Sequence, residues 1–286
     1  MSIEIKRIGV VGAGTMGNGI AQTFAAAGFP VVLRDIAPKA LDQGMSAIRK
    51  SLDRLVSREK LKAADADAAF GRVTPTTELE PLGACDLVVE AVLEKFEIKK
   101  AVMADLDRVC RIDAILATNT SSISVTKIAA TSKSPGRVIG MHFFNPVPMM
   151  QLVEIIRALQ TTDEVCAIIV GLVDAIGKKA HVAKDSYGFV VNRVLIPMIN
   201  EAINCVYEGL APAEDVDAMM KLGAAHPMGP LSLADLIGLD IILDVMDTLY
   251  QGFNDPKYRP SPLLKQMCDA GYLGRKSSRG FFSYPA

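Results

Sequence analysis

The run Val10-Val11-Gly12-Ala13-Gly14-Thr15-Met16-Gly17-Asn18-Gly19 constrains this chain more than any other. An apolar, strand-like segment from Ile5 to Val11 gives way at once to glycines. A helix-like segment then runs from Thr15 to Ala27 and stops at Gly28, and Pro30 to Leu33 begins a second strand closed by Asp35. In such a strand-turn-helix unit the first glycine permits a sharp turn, the second lets backbone approach a pyrophosphate, and the third lets helix and strand pack closely. Asp35 lies about 20 residues past the glycines, where a carboxylate accepts hydrogen bonds from adenosine ribose hydroxyls. Glycine spacing alone is a weak signal. With its strands, helix and acid it predicts a dinucleotide site over Gly12, Ala13, Gly14, Thr15, Met16, Gly17 and Asp35. The Asp35 carboxylate repels a 2′-phosphate and so favours NAD over NADP. Arg34 could attract such a phosphate, but neighbouring side chains on a strand point to opposite faces.

Beyond this unit, Pro38 to Gly71 is too long for a simple crossover and reads as a helical hairpin, Pro38 to Arg58 and Ala64 to Phe70, inserted before a short strand at Arg72 to Thr74. Strand-like segments at Asp86 to Ala91, Ile115 to Ala117 and Val138 to Phe143 alternate with helices over Glu94 to Val109 and Ser124 to Ala130, which predicts a parallel sheet covered on both faces. Ligands of such sheets bind beyond the C-terminal strand ends, where Gly12, Glu90, Ser121 and His142 fall. The connection from Phe143 to Leu152 is too short for a crossover helix, so Leu152 to Ile156 is expected to return antiparallel and bring Glu154 nearly opposite His142. A helix over Val165 to Ile176 and a last strand at Ala180 to Ala183 complete this domain, expected at 1–185. Residues 186–286 read as helices only: Phe189 to Tyr207, interrupted or kinked at Pro197, then Pro212 to Leu222, Pro230 to Thr248 and Pro262 to Ala270. The fold class is thus α/β, a Rossmann-type domain with an inserted hairpin at 38–71 followed by an all-helical domain. The helical domain either encloses its own core or shares it with a second copy, and a homodimer is the favoured expectation.

Composition narrows the function classes. Half of the 286 residues are hydrophobic and the formal net charge is -1, which gives bulk electrostatics no reason to favour a nucleic-acid or membrane partner. Met1 to Arg7 lacks the apolar core of a signal peptide, and no later stretch is long and apolar enough to span a bilayer. A cytoplasmic location is expected. The five cysteines, Cys85, Cys110, Cys166, Cys205 and Cys268, form no C-x-x-C pair, so neither disulfides nor a metal site is expected.

Hydride transfer with a nicotinamide cofactor needs a base, a hydrogen-bond donor for the substrate oxygen, and positioning groups. Of three histidines, His142 stands at a strand end beside the predicted cofactor, while His181 and His226 suit structural places. Glu154 would hold the His142 ring in one tautomer and stabilise its protonated form. Ser121, Asn145 and Asn192 can hydrogen-bond near a carbonyl, though each also suits a cap or a loop. Lys50, Arg54 and Arg58 recur every four residues on one helix face, with Lys60 and Lys62 in the next turn. That face is equally well a solvated surface or a site for a phosphorylated part of a ligand.

Several runs closely resemble the L-3-hydroxyacyl-CoA dehydrogenases: Ala117-Thr118-Asn119-Thr120-Ser121-Ser122, Gly140-Met141-His142-Phe143-Phe144-Asn145-Pro146-Val147-Pro148, Gly188-Phe189-Val190-Val191-Asn192-Arg193, and Met220-Lys221-Leu222-Gly223 with Pro227-Met228-Gly229-Pro230. The resemblance extends over the chain in order, and the compact length is most like the bacterial 3-hydroxybutyryl-CoA dehydrogenases. It implies NAD-dependent interconversion of an (S)-3-hydroxyacyl-CoA and the 3-ketoacyl-CoA. His142 would be the general acid/base, Glu154 its orienting partner, and Ser121 and Asn192 substrate contacts. Glu94, Lys99, Ser121, Asn145 and Lys276 would contact the cofactor, and Ser51, Arg54 and Arg58 coenzyme A. The tail departs from the family's Lys-Thr-Gly-x-Gly: here Lys276-Ser277-Ser278-Arg279-Gly280 lacks the middle glycine, which unsettles the local loop and the Lys276 contact. A dehydrogenase of free hydroxy acids and a non-catalytic protein on the same scaffold are the competing readings.

Overall fold

The structure is a computed structural model that describes residues 4–285, so Met1, Ser2 and Ile3, on which the leader reading partly rests, and Ala286 lie outside it. The chain divides into two compact units, one ending at Ser186 and the other beginning at Tyr187.

In the first unit, β1 (Ile8–Val11), α1 (Thr15–Ala26) and β2 (Val31–Arg34) form the opening βαβ unit. Next come α2 (Pro38–Ser57), α3 (Ala63–Gly71), β3 (Val73–Thr76), β4 (Leu87–Glu90), α4 (Phe96–Val109), β5 (Ile115–Thr118), α5 (Val125–Ala129), β6 (Val138–Phe143), β7 (Leu152–Arg157), α6 (Asp163–Ala175) and β8 (Lys179–Lys184). The strands form one sheet in the order β3-β2-β1-β4-β5-β6-β7-β8. Neighbours run parallel except β6 and β7, which are antiparallel. Strands β1, β4 and β5 are buried along their whole length, as expected of strands covered by helices on both faces.

The core of this unit joins alternate strand residues, such as Val10, Leu33, Val89, Ala117, Met141 and Ile155, to Ile20 and Phe24 of α1. Phe24 meets Phe143 edge-on, with ring centroids 6.3 Å apart. In α2 the buried residues Leu41, Gly44, Ile48 and Leu52 recur at helical spacing. A Cβ at Gly44 would stand 2.7 Å from the Ala13 carbonyl oxygen, so α2 packs directly against the glycine turn and leaves its charged face outward.

The second unit is built from α7 (Val191–Tyr207), α8 (Ala213–Gly223), α9 (Pro230–Ile237), α10 (Leu239–Phe253) and α11 (Pro262–Asp269). Its core includes Ile199, Ile203, Leu231, Leu239, Ile242, Met246, Leu249 and Leu264. The Asp217 carboxylate accepts the N–H groups of Leu231 and Ser232 at 2.7 and 2.9 Å, satisfying donors that the first turn of α9 leaves open. Asp235, also buried, accepts the N–H groups of Phe281 and Phe282 and the Tyr284 hydroxyl, and so fastens the tail.

Local expectations are corrected at four points. The single helix expected over Pro230 to Thr248 is two helices, because Gly238 has φ +107°, a conformation no continuous helix can hold. The helix expected from Glu94 begins at Phe96. The one expected from Phe189 begins at Val191, since Phe189 has φ +50°; Pro197 lies inside α7, which continues past it. Finally, β3 runs on through Pro75 to Thr76, which the sheet accommodates because β3 is an edge strand.

Candidate active site

The glycine turn uses each glycine differently. Gly12 has φ +100°, and a Cβ there would stand 2.6 Å from the Ala91 carbonyl oxygen. At Gly17 a Cβ would overlap the Gly12 carbonyl, whereas at Gly14 it would meet open space. Two glycines therefore make the turn, and the third leaves a cradle into which a pyrophosphate fits against the α1 N-terminus. The Asp35 carboxylate accepts the Ala13 N–H at 2.8 Å and the Ala37 N–H at 3.1 Å, which fixes it at the rim of the turn. Arg34 instead donates from Nε to the Thr77 carbonyl at 3.4 Å. The turn and the carboxylate at its rim are groups that a dinucleotide fits.

At the other side of the sheet head, His142 and Glu154 are register partners. His142 Nδ1 lies 2.8 Å from Glu154 Oε2, with the side chains 7% and 4% exposed. Phe144 packs on the imidazole at 4.5 Å between ring centroids. The Asn119 Oδ1 accepts the Phe143 N–H at 2.9 Å, extending the tie between β5 and β6 past their last paired residues, Thr118 and Gly140. The loop after Phe143 is held by Lys178, whose buried ammonium donates to the Val147 and Met150 carbonyls, both at 2.7 Å. Burial pushes the Lys178 ammonium below its ordinary value.

Between these two features, Glu90 closes β4 with no solvent exposure. Its Oε1 accepts the Val92 N–H and the Lys99 ammonium at 2.7 and 2.8 Å, and its Oε2 accepts the Thr118 hydroxyl at 2.7 Å. Glu94 Oε2 lies 3.2 Å from Lys99 Nζ. Glu94 Oε1 accepts the Thr120 hydroxyl at 2.5 Å and the N–H groups of Ser121 and Ser122 at 2.9 and 3.0 Å. Glu94 thus gathers the loop that carries Ser121. Burial raises its carboxyl pKa, but the Lys99 charge and these hydrogen bonds outweigh that and hold it below the ordinary value. Lys99 itself is 1% exposed and directed at the two carboxylates.

Asn145 is exposed on the loop after β6. Lys50 and Arg54 lie exposed on α2, Arg58 caps it, and Ser51 is half-buried beside them. Arg49 is paired with Asp53 and Asp67, whereas among the described residues Lys50, Arg54, Arg58, Lys60 and Lys62 form no ion pair. Asn192 and Lys276 belong to the second unit; Asn192 is in the first turn of α7, and the Lys276 ammonium is bound by both Asp240 oxygens. Ser278, where the family pattern has glycine, has φ +58°. The five cysteines are free thiols, and burial pushes Cys85 up to about 12 and Cys110 up to about 11. No group of three metal-ligating side chains occurs among the described residues, and no described helix is long and apolar enough to cross a membrane.

Comparison with known proteins decides the family. The model of the "3-hydroxyacyl-CoA dehydrogenase, NAD binding domain" matches residues 7–186, and that of the "3-hydroxyacyl-CoA dehydrogenase, C-terminal domain" matches residues 188–284. The chain belongs to the 3-hydroxyacyl-CoA dehydrogenase family. It is 51% identical over 279 residues to a probable 3-hydroxybutyryl-CoA dehydrogenase of Deinococcus radiodurans, covering 97% of this chain and 100% of that one. A probable 3-hydroxybutyryl-CoA dehydrogenase of Bacillus subtilis is 49% identical, with 99% and 98% covered. The crystal structure of (S)-3-hydroxybutyryl-CoA dehydrogenase from Ralstonia eutropha superposes with a TM-score of 0.96 at 50% identity, covering 99% of this chain and 100% of that one. As a 3-hydroxyacyl-CoA dehydrogenase, the chain is an NAD-dependent oxidoreductase acting on acyl-CoA substrates.

Within this family site, Thr118, Asn119, Thr120 and Lys178 are structural partners that sequence reasoning assigned no role. Glu90 was placed at the strand end but given no partner. The available signal was a lone acid at the end of an apolar strand and a lysine nine residues on; burial is what requires the two to meet.

Proposed function

We propose that the chain interconverts (S)-3-hydroxybutyryl-CoA and acetoacetyl-CoA, with His142 as general acid/base. The observation that carries this reading is the buried His142–Glu154 pair at 2.8 Å on the sheet end shared with the glycine turn. NAD, when bound, supplies the hydride acceptor or donor. With Nδ1 engaged by Glu154, His142 exchanges the substrate proton at Nε2, and Glu154 offsets the imidazolium charge. In the oxidative direction His142 takes the C3 hydroxyl proton as hydride leaves C3. Ser121 and Asn192 hydrogen-bond the substrate oxygen, while Asn145 and Lys276 serve the cofactor. Lys99 serves it by holding Glu94, and Glu94 by setting the Ser121 loop. Ser51, Arg54 and Arg58 bind the phosphorylated part of coenzyme A, a role supported by Arg54 and Arg58 forming no ion pair among the described residues while Arg49 is neutralised.

The short acyl chain is the substrate named for the relatives of similar length. A homodimer through the second unit is supported by Leu210, Met219 and Leu222, which are 76%, 63% and 88% exposed on and beside α8. The cytoplasm is the compartment proposed, in keeping with the free cysteines. The deciding experiment compares kcat/KM for NADH and NADPH with acetoacetyl-CoA and with free acetoacetate. NADH with acetoacetyl-CoA is expected to be strongly preferred. Equal use of free acetoacetate would overturn the coenzyme A reading, and absence of any NADH oxidation would overturn catalysis.

A further inference from the structure

The charges in contact behind Ser121 do not balance. The buried Glu90 and the Glu94 carboxylate, whose side chain is 36% exposed, contribute two negative charges, and the buried Lys99 a single ammonium, 2.8 and 3.2 Å from them. Lys95, Glu97 and Lys127 nearby are exposed, and among the described residues they form no ion pair with this cluster. The surplus is therefore one negative charge, carried at the head of β4. Glu94 is held ionised by Lys99 and by the Thr120, Ser121 and Ser122 donors.

The sheet order fixes what this charge faces. Asp35 closes β2 and marks the adenosine end, and the pyrophosphate cradle lies at β1. The rest of the dinucleotide must extend the other way, over β4 and β5, to bring its reactive carbon near His142 on β6. We infer that Glu90, Lys99 and Glu94 act together as an unneutralised negative charge beneath the nicotinamide, and that this charge sets the preference between the oxidised and reduced cofactor. The inference rests on the proposal that His142 is the acid/base.

Charge accounting gives the device its purpose. Hydride loss from C3, with its two electrons, neutralises the positive nicotinamide ring, and the hydroxyl proton makes the imidazole positive. One positive charge thus moves across the site during oxidation. Glu154 meets it at His142, and the Glu90–Lys99–Glu94 cluster meets it at the ring. A cluster acting only as a scaffold for the Ser121 loop would not discriminate between the two cofactor forms.

The test is equilibrium binding of NAD+ and NADH, each alone, to the wild type and to Glu94→Gln, followed by calorimetry or fluorescence. Removing one charge beside the ring should raise the ratio Kd(NAD+)/Kd(NADH) roughly three- to tenfold, the scale of a charge pair about 4 Å apart in a water-like dielectric, as suits a partly exposed carboxylate. Glu94→Asp should keep the wild-type ratio. The double variant Glu90→Leu with Lys99→Met removes one charge of each sign, and it should also keep the ratio while altering stability. An unchanged ratio in Glu94→Gln, or an equal shift in the double variant, overturns the inference. Wild type that binds neither form would instead overturn the cofactor reading.

Discussion

His142 on β6 and Glu154 on β7 stand directly opposite in the antiparallel pair of the sheet, and their side chains meet with 2.8 Å between Nδ1 and Oε2. In a parallel pair β7 would have to arrive by a crossover helix, and the short loop from Phe144 to Gln151 forbids that. The reversal of strand direction is therefore what joins imidazole and carboxylate. His142→Ala is expected to lower kcat by about 10²–10⁴, the usual contribution of general acid–base catalysis. NAD binding, measured by titration, should stay close to wild type, and near-normal turnover would refute the role.

Glu154→Gln should be milder in rate than His142→Ala. Without the carboxylate the ring loses the partner that holds its tautomer and orientation. kcat for 3-hydroxybutyryl-CoA oxidation should fall while the KM for NAD stays close to wild type. A kcat equal to wild type would show that Glu154 does not act on His142.

Arg54→Ala and Arg58→Ala are each expected to raise KM for acetoacetyl-CoA by on the order of tenfold, the scale of a charge-assisted hydrogen bond to phosphate. kcat should hardly change. The KM for acetoacetyl-pantetheine, which lacks the nucleotide phosphates, should not respond. Equal losses on both substrates would point to a damaged hairpin rather than a phosphate contact.

Ser278 takes φ +58° without being glycine, at a cost of about 1–2 kcal/mol for an L-residue in that region. Ser278→Gly relieves this strain but adds freedom to the unfolded chain. A net gain of up to about 1 kcal/mol is expected, read as a rise of roughly 1–2 °C in the calorimetric Tm for a chain of this size. A lower Tm would mean that the Ser278 hydroxyl contributes more than its backbone costs.

Much of the fold was legible because it follows local rules. Apolar runs of strand length alternating with amphipathic helices dictate a parallel sheet, and the connection length alone distinguished the antiparallel return of β7. The misplaced helix boundaries share one cause. Whether Gly238 merely weakens a helix or ends it, and whether Phe189 joins one, depends on backbone angles that only packing selects. The continuation of β3 through Pro75 likewise depended on its becoming an edge strand, which is a fact of topology.

The glycine turn, Asp35 and His142 carry their chemistry in residue type and spacing, so the sequence by itself determined the dinucleotide-binding half, its strand-end location and the candidate base. The partnerships within the site were decided by tertiary structure. Lys99 turns to Glu90 and Glu94 because a buried ammonium must find carboxylates. Glu94 gathers Thr120, Ser121 and Ser122 because β4 and β5 are sheet neighbours. Arg49 is neutralised by Asp67 only because α3 folds back on α2. Burial and strand adjacency create these demands, and neither exists until the chain is packed.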